Sequence, residues 1–314
     1  MKILVTGGSG LVGQAINSEK AMSPHHKFTF LTSKDGDLRS LDICRAIFTT
    51  HQPDIVIHLA ANVGGLYKNM KQPVEMLNDN LEMNSNIVKC CKEFQVIKAI
   101  FCLSTCIFPD KTTYPIDETM LHNGPPHSSN AAYAYAKRML EVQCAAYNKE
   151  YHTNYMCIIP TNIFGPHDNF HLKDSHVIPG LIHKAYLAKQ SCKPFTLLGS
   201  GRALRQFIYS NDLARIILYL LDYYYDSEPM ICSVGEQDEV SIDTVARKVA
   251  KQFDIDDIYY DDTYADGQYK KTASNKRLLD FFEKNNIDFQ FTPIEKAIEE
   301  TVKWFKDNYD TCRK

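Results

Sequence analysis

Two periodicities alternate along the first half of the chain. Short apolar runs at Lys2 to Thr6, Phe28 to Leu31, Asp54 to His58, Val96 to Leu103 and Tyr155 to Ile159 have the length and content of buried strands. Gln14 to Glu19, Pro73 to Phe94 and residues 131 to 150 read instead as helices. Strands alternating with helices predict an α/β protein, a doubly wound parallel sheet with helices on both faces. Beyond residue 170 the alternation lapses into helix Val177 to Lys189, strand Thr196 to Gly199, the segment Arg205-Gln206-Phe207-Ile208-Tyr209, helix Asn211 to Tyr223 and a C-terminal helix, Ile294 to Tyr309. We therefore expect a nucleotide-binding domain over residues 1–170, rejoined by segments at about 205–230, and a smaller, discontinuous substrate lobe over most of 171–314. No repeat, low-complexity tract or flexible linker marks a boundary.

The first strand runs straight into Gly7-Gly8-Ser9-Gly10-Leu11-Val12-Gly13 and then a helix. Strand, glycine turn and helix make a phosphate cradle. Glycines at 7, 10 and 13 let the backbone approach a pyrophosphate and aim N–H groups at it from the helix N-terminus. The spacing, G-x-x-G-x-x-G, departs from the commoner G-x-G-x-x-G, but its place directly after a first strand favours a Rossmann-type dinucleotide site. The second strand should end beside the adenine ribose, where NAD sites carry a carboxylate. Here Ser33 and Lys34 come first, a hydroxyl and a cation that suit the 2′-phosphate of NADP(H). Asp35 and Asp37 lie nearby, and Asp37-Leu38 is alternatively a flank of the adenine. Leu59-Ala60-Ala61, after the third strand, are expected close to the cofactor.

With 35 basic against 38 acidic residues the net charge is −3, so no electrostatic footprint for nucleic acid or an anionic membrane exists. An anionic ligand must be held by a few placed cations. No apolar run approaches the roughly 18 residues of a membrane span, and Met1 leads directly into a strand without the apolar segment of a signal peptide. A cytoplasmic protein is expected. The ten cysteines lack C-x-x-C or Cys/His spacing, so no metal site is expected, and in a reducing compartment most are core residues.

The chemistry concentrates at the end of the fourth strand and in the helix that follows. Ser104-Thr105-Cys106 lies at a carboxyl strand end, where ligands of such sheets bind. On a helix, Tyr133 and Lys137 share a face, placing an ammonium beside a phenol. A neighbouring cation favours the phenolate and lowers the pKa towards working pH, making Tyr133 a tuned acid or base.

The glycine spacing at 7 to 13, the set Ser104, Tyr133 and Lys137, and Pro160 to Pro166 resemble in kind and order the extended short-chain dehydrogenase/reductases. Leu103 to Pro109, Pro160-Thr161-Asn162 through Phe170, Ser175-His176-Val177-Ile178-Pro179 and Arg205-Gln206-Phe207 are similar to one branch of that family. That branch epimerises and then reduces GDP-linked 4-keto-6-deoxy sugars. The likeness runs nearly end to end, with Ala203 standing where the branch often has proline. It implies an NADPH-dependent 3,5-epimerase and 4-reductase, an oxidoreductase that forms homodimers through helices of the nucleotide domain. Carried over residue by residue, it implies a base and an acid at Cys106 and His176. Cofactor contacts would come from Leu11, Val12, Pro160, Asn162, Ile163 and His176, besides Tyr133 and Lys137, and nucleotide-sugar contacts from Asn162, Lys184, Arg205 and Lys271.

Those roles make physical sense. A 4-ketone acidifies the protons on C3 and C5, and opposed proton carriers with reference pKa values near 8.5 and 6.5 exchange them near neutrality. Two rival readings remain. A nucleotide-sugar epimerase or dehydratase with tightly held NAD is one, although a dehydratase would want a carboxylate where Thr105-Cys106 stands. A non-catalytic NADP-binding sensor is the other, and it has no need of Ser104, Tyr133 and Lys137 together.

Overall fold

The computed structural model describes residues 1–264 and 268–314, without the side chains of 66 and 67. In chain order its elements are β1 (Lys2–Thr6), α1 (Leu11–Glu19), β2 (Lys27–Phe30), α2 (Leu41–His51), β3 (Ile55–His58), α3 (Leu66–Lys71), α4 (Pro73–Glu93), β4 (Lys98–Cys102), α5 (Ala131–Tyr151) and β5 (Tyr155–Pro160). There follow β6 (Asn162–Phe164), α6 (Val177–Ser191), β7 (Phe195–Leu198), β8 (Leu204–Arg205), β9 (Phe207–Tyr209), α7 (Ser210–Tyr223) and β10 (Met230–Cys232). The chain closes with β11 (Val240–Ser241), α8 (Ile242–Lys251), β12 (Ile258–Asp261), α9 (Lys276–Lys284) and α10 (Ile294–Asp307).

Six strands form one parallel sheet in the order β10-β5-β4-β3-β1-β2. Both neighbours of β1 are parallel, with Lys2 opposite Lys27 on one side and Thr6 opposite His58 on the other. The chain therefore winds outward in both directions from β1 and β3, and a crevice opens above their carboxyl ends. Buried on both faces, the strands read as continuous apolar runs, as in Ile3-Leu4-Val5 and Ile55-Val56-Ile57. One face packs on α2, α4 and α5 through Phe48, Ile87, Phe101 and Leu140. The other packs on α1, α7 and α9 through Ile16, Ile217, Leu221 and Phe282.

A third core, around Ile182, Phe195, Val249 and Phe305, joins α6, α8, α10 and β7. Parallel β7–β12 and antiparallel β8–β11 flank it, while β6 pairs with β9 to bind this lobe to the sheet. The fourth strand is shorter than expected. Gln95, at φ 55°, turns the chain out of α4, so Val96 and Ile97 precede the sheet and pairing begins at Lys98. Lys98 is itself buried, and its Nζ donates to the carbonyls of Leu220 at 2.6 Å, Leu221 at 2.9 Å and Tyr224. It thus caps the C-terminus of α7. Among the described residues no helix is long and apolar enough to cross a membrane.

Candidate active site

The cradle forms as its glycines require. Gly7 has φ +69°, and a Cβ there would come within 2.9 Å of the Ala60 nitrogen; one at Gly13 would meet the Gly7 oxygen at 2.5 Å. Gly10 N–H donates to Gly7 O at 2.9 Å and caps α1 without a side chain, and no acidic residue occupies the first turn. The leading N–H groups of α1, around Leu11 and Val12, thus present the positive end of a helix to an anion.

A polar chain beneath the cradle sets the next loop. Thr6 Oγ1 accepts from the N–H groups of Leu59 and Ala60, both at 3.1 Å, and lies 2.8 Å from His58 Nδ1. With its lone pairs so used, the hydroxyl donates to Nδ1, and His58 Nε2 donates to Asn84 Oδ1 at 3.1 Å. Burial, with Lys137's charge adding, pushes His58 down to about 3, so the ring is neutral. Leu59, Ala60 and Ala61 are thereby drawn against Gly7. Thr6 of β1 and Asn84 of α4 form part of this support, and neither the strand nor the helix pattern carries a signal for them.

At the end of β2, both acidic neighbours are engaged. Asp35 accepts from Thr32 N–H at 2.7 Å and Thr32 Oγ1 at 2.9 Å, and Asp37 is clamped by Arg39, whose Nη1 also reaches Asp79 at 3.1 Å. Ser33 and Lys34 are exposed at this edge, with Leu38 buried behind.

Beyond β4, Ser104 opens a short turn, and its Oγ accepts from Cys106 N–H at 3.4 Å. Tyr133 and Lys137 face the same place from α5. Lys137 Nζ donates to Cys102 O at 2.8 Å and lies 5.9 Å from the Tyr133 ring centre. Cys106, though 8% exposed, is not sealed away from these groups. Burial pushes its thiol up, while Lys271, Ser104 and Lys137 pull it back. The expected lowering of Tyr133 by Lys137 is not found. Burial drives the phenol well above its ordinary value, and the nearby thiols Cys106 and Cys102 add to the rise. Lys137 is itself lowered by burial, and a desolvated cation bonded to a carbonyl stabilises the phenolate too little to offset the loss of water.

Lys271 arrives from far along the chain on a tightly fastened segment. Ile116 N–H donates to Thr272 O and Ser274 N–H to Ile116 O, both at 2.8 Å, and Tyr114 OH donates to Lys270 O at 2.8 Å. Thr272 Oγ1 donates to Glu239 at 2.6 Å. Gln206 ties this segment to the rest. Its Nε2 donates to the carbonyls of Val234, Gly235 and Ala273 at 2.9, 3.1 and 3.0 Å, and its Oε1 accepts from Ala273 N–H at 2.7 Å. Its backbone oxygen receives Asn162 Nδ2 at 2.9 Å. Gln206, flagged in the sequence only as a neighbour of Arg205, thus positions Asn162, Arg205 and Lys271 together. Arg205 donates to Leu204 O and Gln268 O, both at 2.6 Å, and its charge acts on Lys271.

Pro160 ends β5, and Asn162 and Ile163 begin β6 beside this hub. His176 is the N-cap residue of α6, on a loop joined to the β3–α3 connection by Gly65 N–H donating to Asp174 O at 3.0 Å. The residue is exposed at the surface, and desolvation by the protein atoms crowded near the ring holds the imidazole below its usual value. No charge of the Cys106 cluster acts on it. Lys184, two turns along α6, stands apart in a groove of about 330 Å³ lined by Leu172, Leu187, Pro194 and Leu198.

The chain matches the NAD dependent epimerase/dehydratase family over residues 3–235. It is 53% identical to the GDP-L-fucose synthase of Dictyostelium discoideum, the alignment covering 99% of this chain and 97% of the relative, and 48% identical to a probable GDP-L-fucose synthase of Drosophila melanogaster over 100% and 99%. Among solved structures, a Naegleria fowleri GDP-L-fucose synthetase bound to NADP superposes with a TM-score of 0.94 at 50% identity, covering 100% of this chain and 95% of that one. The chain therefore belongs to the NAD dependent epimerase/dehydratase family and, within it, to the GDP-L-fucose synthases.

Proposed function

We propose that this protein converts GDP-4-keto-6-deoxy-D-mannose to GDP-L-fucose by epimerising C3 and C5 and reducing C4 with NADPH. The observation that carries this is the meeting of Ser104, Cys106, Tyr133, Lys137 and Lys271 above the carboxyl end of β4, beside a glycine cradle and a helix N-terminus with no side-chain cap. The likeness to GDP-L-fucose synthases over the whole chain supports the choice of sugar.

The cradle at Gly7, Gly10 and Gly13 fits a dinucleotide pyrophosphate, since a Cβ at Gly7 or Gly13 would close it. Ser33, Lys34 and Arg39 would hold the 2′-phosphate, with both nearby aspartates already paired. When bound, NADPH supplies the hydride that reduces C4. Cys106 takes a proton from the carbon beside the ketone, its thiolate favoured by the Lys271 ammonium. His176, its imidazole held below the usual value by local desolvation, is the second proton carrier. Tyr133, held protonated by burial, gives its proton to the C4 oxygen while Ser104 hydrogen-bonds the same atom. Lys137, fixed by Cys102 O, would hold the nicotinamide ribose. Arg205 and Lys271 hold the diphosphate, and the groove at Lys184 suits the nucleoside, with largely apolar walls and two cations, Lys184 and Lys193.

The protein further acts as a homodimer. Tyr135, Met139 and Val142 form an exposed apolar stripe on α5, in the nucleotide domain, as a helix-to-helix contact needs. All ten cysteines are free, in keeping with the cytoplasm.

The test is incubation with GDP-4-keto-6-deoxymannose and NADPH, with the sugar identified by NMR. One NADPH consumed for each GDP-L-fucose formed is expected. Turnover on nicotinamide that stays bound and unconsumed would instead favour an epimerase or dehydratase.

A further inference from the structure

At the edge of the sheet opposite the cleft, three metal-ligating side chains meet that no step of the reaction uses. His25 and His26 precede β2, whose first residue pairs with Lys2, and Asp222 lies in the last turn of α7. Asp222 Oδ1 is 2.8 Å from His26 Nε2 and 3.2 Å from His25 Nε2, and the three donor atoms all lie within 4.8 Å of one another. Ser23 Oγ donates to Asp222 Oδ2 at 2.8 Å, which turns Oδ1 towards the two rings. The His26 and Asp222 side chains are largely covered, whereas His25 is 61% exposed.

Ligand atoms bonded at about 2.0–2.1 Å to a tetrahedral ion stand roughly 3.3 Å apart. The two spacings to Asp222 need to widen by at most about half an ångström, and the two ring nitrogens, within 4.8 Å of each other, need to settle to the same separation. We propose that His25, His26 and Asp222 form a binding site for a borderline divalent cation, Zn²⁺ above all, that staples the entry of β2 to the C-terminus of α7. Two imidazoles and one carboxylate with an open fourth position for water select Zn²⁺, Ni²⁺ or Cu²⁺ over Mg²⁺ or Ca²⁺. Each ring binds through its Nε2 lone pair, with its proton moving to Nδ1. Ser23 supplies the outer hydrogen bond that orients the carboxylate. The C-terminal end of the α7 dipole favours a cation as well.

Two positive groups oppose it: the Met1 ammonium, 3.4 Å from His26 Nδ1, and Lys98, whose Nζ is engaged with three carbonyls at the C-terminal end of α7. They weaken binding relative to a closed structural zinc site. Because the site lies at the amino-terminal edge of the strands, binding acts on stability and leaves the cleft unchanged.

The test uses the full chain without a histidine tag, titrated with ZnCl₂ and separately with MgCl₂ while Tm is followed. Zn²⁺ at about 100 times its Kd raises Tm by roughly 5 °C, and Mg²⁺ does not. Asp222→Asn and His26→Gln abolish the rise, His25→Ala weakens binding roughly 10-fold or more, and NADPH-dependent turnover is the same in all. Co²⁺ added in place of zinc gives visible d–d bands without thiolate charge-transfer absorption. The absence of any zinc-dependent rise overturns the site, as does a rise that persists in Asp222→Asn or a Co²⁺ spectrum with thiolate bands. Should the two buried-ligand variants fail to fold, the exposed His25→Ala variant decides, and an unchanged zinc titration there refutes the assignment.

Discussion

Asp168 lies in the Gly165–Phe170 turn after β6, 4% exposed. Its Oδ1 accepts from Asn169 N–H at 2.6 Å, and its Oδ2 has no partner. Burial pushes the carboxyl up from 3.8 to about 7, against the weaker pull of that hydrogen bond and of Arg313. At about 1.4 kcal/mol per tenfold change in acidity, the interval is worth about 4 kcal/mol. The sign follows from linkage. Between about pH 4 and 7 the folded protein holds a proton that the unfolded chain has released, so stability falls as pH rises, and above 7 the full penalty applies. Asp168→Asn keeps the Oδ1 contact and removes the charge, at a cost of about 1–3 kcal/mol for an unpaired amide N–H. The variant is therefore more stable than the native protein above neutrality and loses that advantage in acid. From about pH 5 to pH 8 its relative stability improves by about 3 kcal/mol, or roughly 6 °C in Tm. Thermal melts of both proteins across this range measure it. A Tm difference that is the same at both ends refutes an uncompensated buried carboxylate.

The proton carriers separate cleanly. Cys106→Ser stops solvent deuterium entering C3 and C5, while Tyr133→Phe permits that wash-in and slows reduction by roughly 10²-fold or more, both read by NMR of the sugar. Gln206→Leu strips the carbonyls of Val234 and Ala273 and the Ala273 N–H of the partner they have in Gln206, while Gly235 O keeps the Asp238 N–H. It raises the KM for the GDP-sugar roughly 10-fold or more with NADPH binding little changed; equal loss of both ligands points to general disruption. Gly13→Ala drives a methyl into the Gly7 carbonyl and weakens NADPH binding, measured by fluorescence titration, while the circular dichroism stays native. Lys98→Met strips the α7 carbonyls of their donor and lowers stability by about 2–4 kcal/mol in urea melts. Burial lowers Lys98 to about 8, so the native protein also gains stability between about pH 8 and 10, where only the unfolded chain still holds that proton.

Much of this protein was legible in local patterns. The alternation of apolar runs with helical stretches determined the parallel sheet. The strand–glycine–helix order marked the cradle, and the four-residue spacing of Tyr133 and Lys137 placed both on the inner face of α5. Each depends on contacts within a few residues, where backbone geometry dictates the outcome. What only the folded chain decided lies in long-range contacts and in burial. Gln206 meets Ala273 across 67 residues, and Asp222 meets His26 across 196, separations that leave no mark in any periodicity. The direction of the Tyr133 pKa went the same way. Sequence supplies the neighbouring cation, but the loss of water around a phenol is set by what the rest of the fold packs over it, and here that desolvation is the larger effect.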